Sequence, residues 1–168
     1  RLTAHVEGKR VADVFSGTGT LGLEALSRGA VGVVFIESDR RAFELLKKNV
    51  EALGVGDLVL CWQADVLRTS FRPKNVEHLL PFDTVFFDPP YKMLDDLRPG
   101  SPLFKALERL ARGGVTASGA RLVLRSPRKA QFALPDCWRK SGRFDMSSME
   151  IHLYEKAPAE RGRLDVDL

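Results

Sequence analysis

Residues 11–22, VADVFSGTGTLG, join a short apolar run (Val11 to Phe15) to a loop of small residues, after which Leu21, Leu23, Ala25 and Leu26 recur at roughly helical spacing. A buried strand needs only a short apolar run, whereas a helix spaces its apolar residues three or four apart. The order is therefore strand, glycine loop and helix, with Arg28-Gly29 as the stop. Gly17-Thr18-Gly19-Thr20-Leu21-Gly22 fits G-x-G-x-x-G, and Glu37 stands twenty residues after Gly17. Taken alone, this is the fingerprint of a dinucleotide-binding loop.

The same alternation runs through the chain. Val33–Ile36 reads as a second strand and Arg40–Leu53 as a helix, with Ala42, Phe43, Leu45, Leu46 and Val50 on one side and Gly54 closing it. Leu58–Trp62 and Thr84–Phe87 read as strands three and four, separated by loop-like Phe71–Asn75, where Pro73 removes a backbone donor. A helix from Leu103 to Arg112 ends at Gly113-Gly114, and Arg121–Leu124, Trp138–Phe144 and Met149–Tyr154 read as strands five to seven. Strands alternating with helices put a mostly parallel sheet between two helical layers. The helix-poor end predicts an antiparallel hairpin for the last two strands. The expected fold is α/β, a Rossmann-like open sheet of seven strands whose ligands sit beyond the C-terminal strand ends.

At 168 residues, 44% hydrophobic and 29% charged, the chain is expected to form one domain with a real core. Residues 158–168 read as a polar tail. Cys61 and Cys137 are too few for a disulfide framework, and His5, His78 and His152 are scattered, so no metal site is expected. No apolar run approaches the ~20 residues of a membrane span. The polar opening reads as no signal peptide, so a soluble, cytoplasmic monomer is expected. Net charge is +4, and Arg121 to Arg143 holds Arg121, Arg125, Arg128, Lys129, Arg139, Lys140 and Arg143 against one acid, Asp136. Such a run is either a solvated basic face or a surface that meets phosphates.

One residue argues against a dinucleotide. Such a loop gives its glycines and helix N-terminus to a pyrophosphate, and Asp13, four positions before Gly17, would repel that dianion. A carboxylate there suits a ligand that carries an ammonium and no phosphate, such as S-adenosylmethionine (SAM). An NAD-dependent oxidoreductase is the competing reading. For SAM, Asp13 would meet the ammonium, and the loop Phe15, Ser16, Gly17, Thr18 and Gly19 would let the backbone approach the ligand. Glu37 would hold the ribose hydroxyls, Asp65 the adenine amino group, and Ser38 and Val66 would flank the adenine. Asp65 could equally cap a short helix at Val66.

After strand four comes Asp88-Pro89-Pro90-Tyr91. The prolines have fixed φ and donate no hydrogen bonds, so this segment presents acceptors, suited to an exocyclic amino group. Tyr91 offers a flat face for a planar base. A Pro-Pro-Tyr segment can also be an ordinary loop breaker, and its position beside a SAM loop is what gives it weight.

Asp-Pro-Pro-Tyr resembles the D/N-P-P-Y/F/W motif of amino methyltransferases. The block from Asp13 to Ala30, DVFSGTGTLGLEALSRGA, is similar to the first motif of the RsmD family of 16S ribosomal RNA (guanine-N2)-methyltransferases. The similarity continues through Phe35-Ile36-Glu37, Lys47-Lys48-Asn49 and Asp83 to Tyr91, and more weakly to Ile151–Tyr154. The resemblance implies a class I SAM-dependent methyltransferase that modifies guanine N2 in small-subunit rRNA and releases S-adenosylhomocysteine, with no metal. Asp88, Pro89, Pro90 and Tyr91 would be catalytic, and Arg125, Arg128 and Lys129 would meet the RNA or an assembling small-subunit particle. Family members carry an Arg-rich N-terminal segment, of which residues 1–10 would be a remnant. Their fifth strand usually runs into a Glu, whereas here Leu124 is followed by Arg125, and Met146-Ser147-Ser148 replaces a Tyr-Gly. A DNA adenine-N6 methyltransferase shares the tetrapeptide, and a non-catalytic nucleic-acid-binding module with a vestigial cofactor fold is the rival from another class.

Overall fold

The computed structural model describes Thr3 and residues 5–159; residues 1, 2 and 4 and the expected tail from 160 onward lie outside the described residues. The elements are β1 (Arg10–Val14), α1 (Thr20–Ser27), β2 (Gly32–Glu37), α2 (Arg40–Leu53), β3 (Val59–Gln63), β4 (Phe82–Phe87), α3 (Tyr91–Asp95), α4 (Pro102–Leu110), β5 (Thr116–Pro127), β6 (Trp138–Met146) and β7 (Met149–Lys156). They build one seven-stranded sheet in the order β3-β2-β1-β4-β5-β7-β6. Neighbours from β3 to β5 are parallel, whereas β7 runs antiparallel to both β5 and β6. This is the sheet the alternation predicts, and its strand order reverses between β1 and β4, where open α/β sheets bind ligands.

Alternating side chains divide the core into two layers. Phe35, Phe86, Val123 and Ile151 point to one face and pack with Ala25 of α1 and Phe43, Leu46 and Val50 of α2. Val34, Ile36, Val85, Phe87, Leu122 and Leu124 point to the other and pack with Leu103, Ala106, Leu107 and Leu110 of α4. Helix α2 begins where the Asp39 side chain accepts the Ala42 N–H, and it ends at Gly54 with φ 65°. Helix α1 lies so close to β2 that a Cβ at Gly22 would stand 2.4 Å from Phe35 Cε1.

Two elements differ from the sequence reading. Helix α3 is only five residues long, too short to show a period. Strand β5 begins at Thr116, five residues before the apolar run, because Ala117-Ser118-Gly119-Ala120 carry a strand backbone without its side chains. Among the described residues, no helix is long and apolar enough to cross a membrane.

Pairing fixes what lies at the top of the sheet. Val14 pairs with Ile36 and Phe87, Phe87 with Leu124, and Arg125 with Ile151. One step past Ile36, Phe87 and Leu124, therefore, Glu37, Asp88 and Arg125 form a row on the α1/α2 face, while Phe15, one step past Val14 but at positive φ, packs with the α4-side core.

Candidate active site

That row opens into a cavity of about 410 Å³ lined by Phe15, Glu37, Asp88, Pro89, Pro90, Tyr91, Arg125 and Met149. The volume suits a nucleoside-sized ligand. Phe15, which leads into the glycine loop, and Glu37 form one wall, while Ser16, Gly17, Thr18 and Gly19 follow just outside the lining. Phe15 has φ 59° and meets Phe87 edge-on, with ring centroids 5.4 Å apart. Glu37 uses both oxygens on backbone: Oε1 accepts the Gly17 N–H at 2.8 Å and Oε2 the Asp39 N–H at 2.9 Å. The carboxylate thus joins the loop to the start of α2. Thr18 contributes its carbonyl, which accepts Asn49 Nδ2 at 3.0 Å.

The two loop glycines serve different ends. A Cβ at Gly17 (φ +56°) would meet nothing within 4 Å among the described residues, whereas one at Gly19 (φ +91°) would stand 2.5 Å from Leu46 Cδ1. Gly17 leaves room above the loop, and Gly19 lets the loop pack on α2. Ser16 Oγ is buried and has no hydrogen-bond partner among the described residues.

Asp13 lies beneath this loop and does not line the cavity. Its side chain is buried, and its Oδ2 accepts the Gly22 N–H at 2.9 Å. Burial pushes its pKa up to about 8, the Gly22 N–H pulls it down, and the Asp88 charge pushes it up. The residue expected to meet an ammonium is here a buried acid that holds α1. Ser38, exposed, and Val66, buried, follow the ends of β2 and β3 on the same sheet edge, outside the cavity lining. Asp65 Oδ1 accepts the Leu67 N–H at 2.9 Å and so caps a turn over residues 66–68.

The tetrapeptide forms the second wall. The Asp88 N–H donates to Val14 O at 3.4 Å, tying the end of β4 to β1. Tyr91 opens α3 and is 49% exposed. The Pro90 carbonyl accepts the Met93 N–H at 2.9 Å. The three basic residues grouped by sequence separate in space. Arg125 lies in the cavity, where its Nη2 donates to Asp88 Oδ2 in an ion pair, and that bond raises its pKa against the opposing effect of burial. Arg128 Nε donates to Ser147 O at 3.0 Å, which fixes the β6–β7 turn, and Lys129 is exposed with φ 62°. Met149 was not among the expected site residues. It reaches the cavity through its pairing with Pro127, for which the sequence carries no local signal.

These residues fit a cationic nucleoside better than a pyrophosphate. The lining sets two carboxylates, Glu37 and Asp88, against one guanidinium. The space above Gly17 and the unpaired Ser16 hydroxyl offer a cradle with a polar group to satisfy.

A family profile described as "conserved hypothetical protein 95" matches residues 1–155. The chain is 38% identical over 95 residues to "Ribosomal RNA small subunit methyltransferase D" of Haemophilus influenzae, covering 54% of this chain and 46% of that protein. It is 33% identical over 96 residues to the protein of the same name from Buchnera aphidicola, covering 54% of this chain and 44% of that one. The chain spans about half the length of these relatives. Among solved structures, a Haemophilus influenzae protein provisionally described as a methylase superposes with a TM-score of 0.72 at 26% identity, over 94% of this chain and 92% of that one. The architecture is the class I methyltransferase fold.

Proposed function

Since the chain belongs to the conserved hypothetical protein 95 family, the RsmD family, we propose that it is a SAM-dependent methyltransferase acting on guanine N2 of small-subunit rRNA. The observation that carries this reading is the shared cavity: Asp88-Pro89-Pro90-Tyr91 faces Phe15 and Glu37 across one space. The names of the curated relatives support an RNA substrate. The absence of a membrane-length helix among the described residues is compatible with action in the cytoplasm on RNA or an assembling particle.

The loop Phe15–Gly19, with Glu37 behind it, would hold SAM, and Asp65, Ser38 and Val66 at the neighbouring strand ends would take its adenine. When bound, SAM supplies an electrophilic methyl group on a sulfonium. The chain's own residues act on the base. An exocyclic amine is a poor nucleophile because its lone pair is delocalised into the ring. Asp88 accepts an amine N–H, favours a pyramidal nitrogen and stabilises the positive charge that develops there as neutral S-adenosylhomocysteine is displaced, and the nitrogen then gives up one N–H proton to Asp88 or to water. Holding the two reactants in line supplies much of the rate, since well-oriented neighbours gain ~7–11 kcal/mol. Tyr91, exposed at the rim, stacks on the extruded base.

The test is transfer of labelled methyl from SAM to small-subunit rRNA, naked and in 30S particles, with nucleoside analysis. N2-methylguanosine is the expected product. N6-methyladenosine in DNA would favour the rival amino methyltransferase, and SAM binding without transfer to any nucleic acid would overturn the reading.

A further inference from the structure

We propose that Arg125 and Asp88 form one recognition unit that reads the amino–imine edge of the target base, an exocyclic amino group beside an imine-type ring nitrogen; this rests on the methyltransferase reading above. Because Phe87 pairs with Leu124, the next residues, Asp88 and Arg125, fall side by side on adjacent strands and on the same face. The pairing is thus imposed by the backbone, not by a chance meeting of two surface side chains. Only Oδ2 of Asp88 is engaged, by Nη2 of Arg125, and among the described residues nothing donates to Oδ1. Both side chains keep access to the cavity, at 30% and 24% exposure.

The unit therefore presents an acceptor, Asp88 Oδ1, beside the remaining N–H donors of a guanidinium. A donor–acceptor pair on the base complements it: an amino N–H with a neighbouring ring nitrogen. Guanine offers this at N2 and N3. The same logic underlies side-chain readout of base edges, where a bidentate pair discriminates far better than one bond. Arg125 also holds the Asp88 carboxylate in one orientation, so that Oδ1 faces the amine when the base arrives. A guanidinium already paired to a carboxylate is a weak anchor for a phosphate, which separates Arg125 from the backbone-contacting residues. Lysine could supply the charge but not the planar fork.

The test compares the unaltered chain with Arg125→Ala, Arg125→Lys and Asp88→Ala on 30S particles and naked rRNA. S-adenosylhomocysteine affinity is measured by calorimetry and folding by thermal unfolding. For Arg125→Ala we expect kcat to fall at least 30-fold, while KM for RNA and S-adenosylhomocysteine affinity stay within threefold. Millimolar methylguanidine should restore at least fivefold in Arg125→Ala and nothing in Asp88→Ala. Arg125→Lys should keep its fold and still lose at least tenfold in kcat, which covers the case in which the alanine variant unfolds. A kcat within threefold of normal in both Arg125 variants overturns the inference. So does a loss confined to KM that grows with salt, which would make Arg125 a phosphate contact. If the unaltered chain transfers no methyl to any RNA, the functional reading falls and takes this inference with it.

Discussion

The Gly22 N–H donates to Asp13 Oδ2 at 2.9 Å, so an acid in β1 holds the first turn of α1 from below. The N-cap of that helix is Gly19, which has no side chain with which to accept an orphan N–H. Asp13 supplies the missing acceptor from another element. Asp13→Ala should therefore leave a buried donor unpaired and cost about 1–3 kcal/mol in urea unfolding.

The same contact predicts a pH dependence. The Asp13 pKa is about 8 in the fold against an ordinary value of 3.8. Between those values the folded chain holds a proton that the unfolded chain has lost, so Asp13 makes stability fall as pH rises from about 4 to 8. Asp13→Asn keeps an acceptor without the charge and should remove that part of the decline. Urea midpoints of the two proteins from pH 5 to 9 should diverge, with the Asn variant gaining at the alkaline end; parallel curves would refute this.

Gly17 and Gly22 should fail in opposite ways. Gly22→Ala drives a methyl group to within 2.4 Å of Phe35 Cε1, and overpacking of this kind costs ~1–3 kcal/mol. Gly17→Ala meets no atom of the described residues but must keep φ +56°, a strain of about 1 kcal/mol, and its new methyl group occupies the open space at the loop. We expect thermal unfolding to report mainly the first and calorimetric SAM binding mainly the second.

Glu37→Ala removes two charge-assisted bonds, to Gly17 and Asp39, each worth about 1.5–3 kcal/mol. The loop then loses its tie to α2, and SAM affinity should fall at least 30-fold in calorimetry. Affinity within threefold would show that the loop holds its shape without Glu37.

Asp88→Ala should abolish methyl transfer and leave SAM binding within a few-fold, because in the proposed reaction its carboxylate meets the base and not the cofactor. The paired measurement is a transfer assay beside calorimetry, and concurrent loss of binding would reassign Asp88 to the cofactor.

Lys129→Glu should weaken RNA binding and lower the salt slope by about one phosphate contact. Arg128→Glu also breaks the bond to Ser147 O, so its effect should include a change at the β6–β7 turn. Filter binding across a salt series distinguishes them, and unchanged binding by both variants at every ionic strength would make this stretch a solvated face.

Much of the architecture is written in local chemistry. Strands such as Val33–Ile36 are short apolar runs, and α2 runs from Arg40 to Leu53 as its period and Gly54 dictate. The glycine loop and Asp88-Pro89-Pro90-Tyr91 are equally legible, because turn geometry and proline's missing donor act within a few residues. Helix α3 and the first half of β5 escape, since one is too short for a period and the other has small side chains that show none.

What the linear order could not reveal is which distant residues become neighbours. Asp13 reads as a free carboxylate until α1 folds back over β1 and Gly22 takes it. Arg125 reads as part of a basic run until β5 pairs with β4 and turns it toward Asp88, away from the Lys129 that lies four positions on. Strand pairing depends on burial summed over the whole sheet, so the charges that meet at its edge follow from packing and not from spacing along the chain.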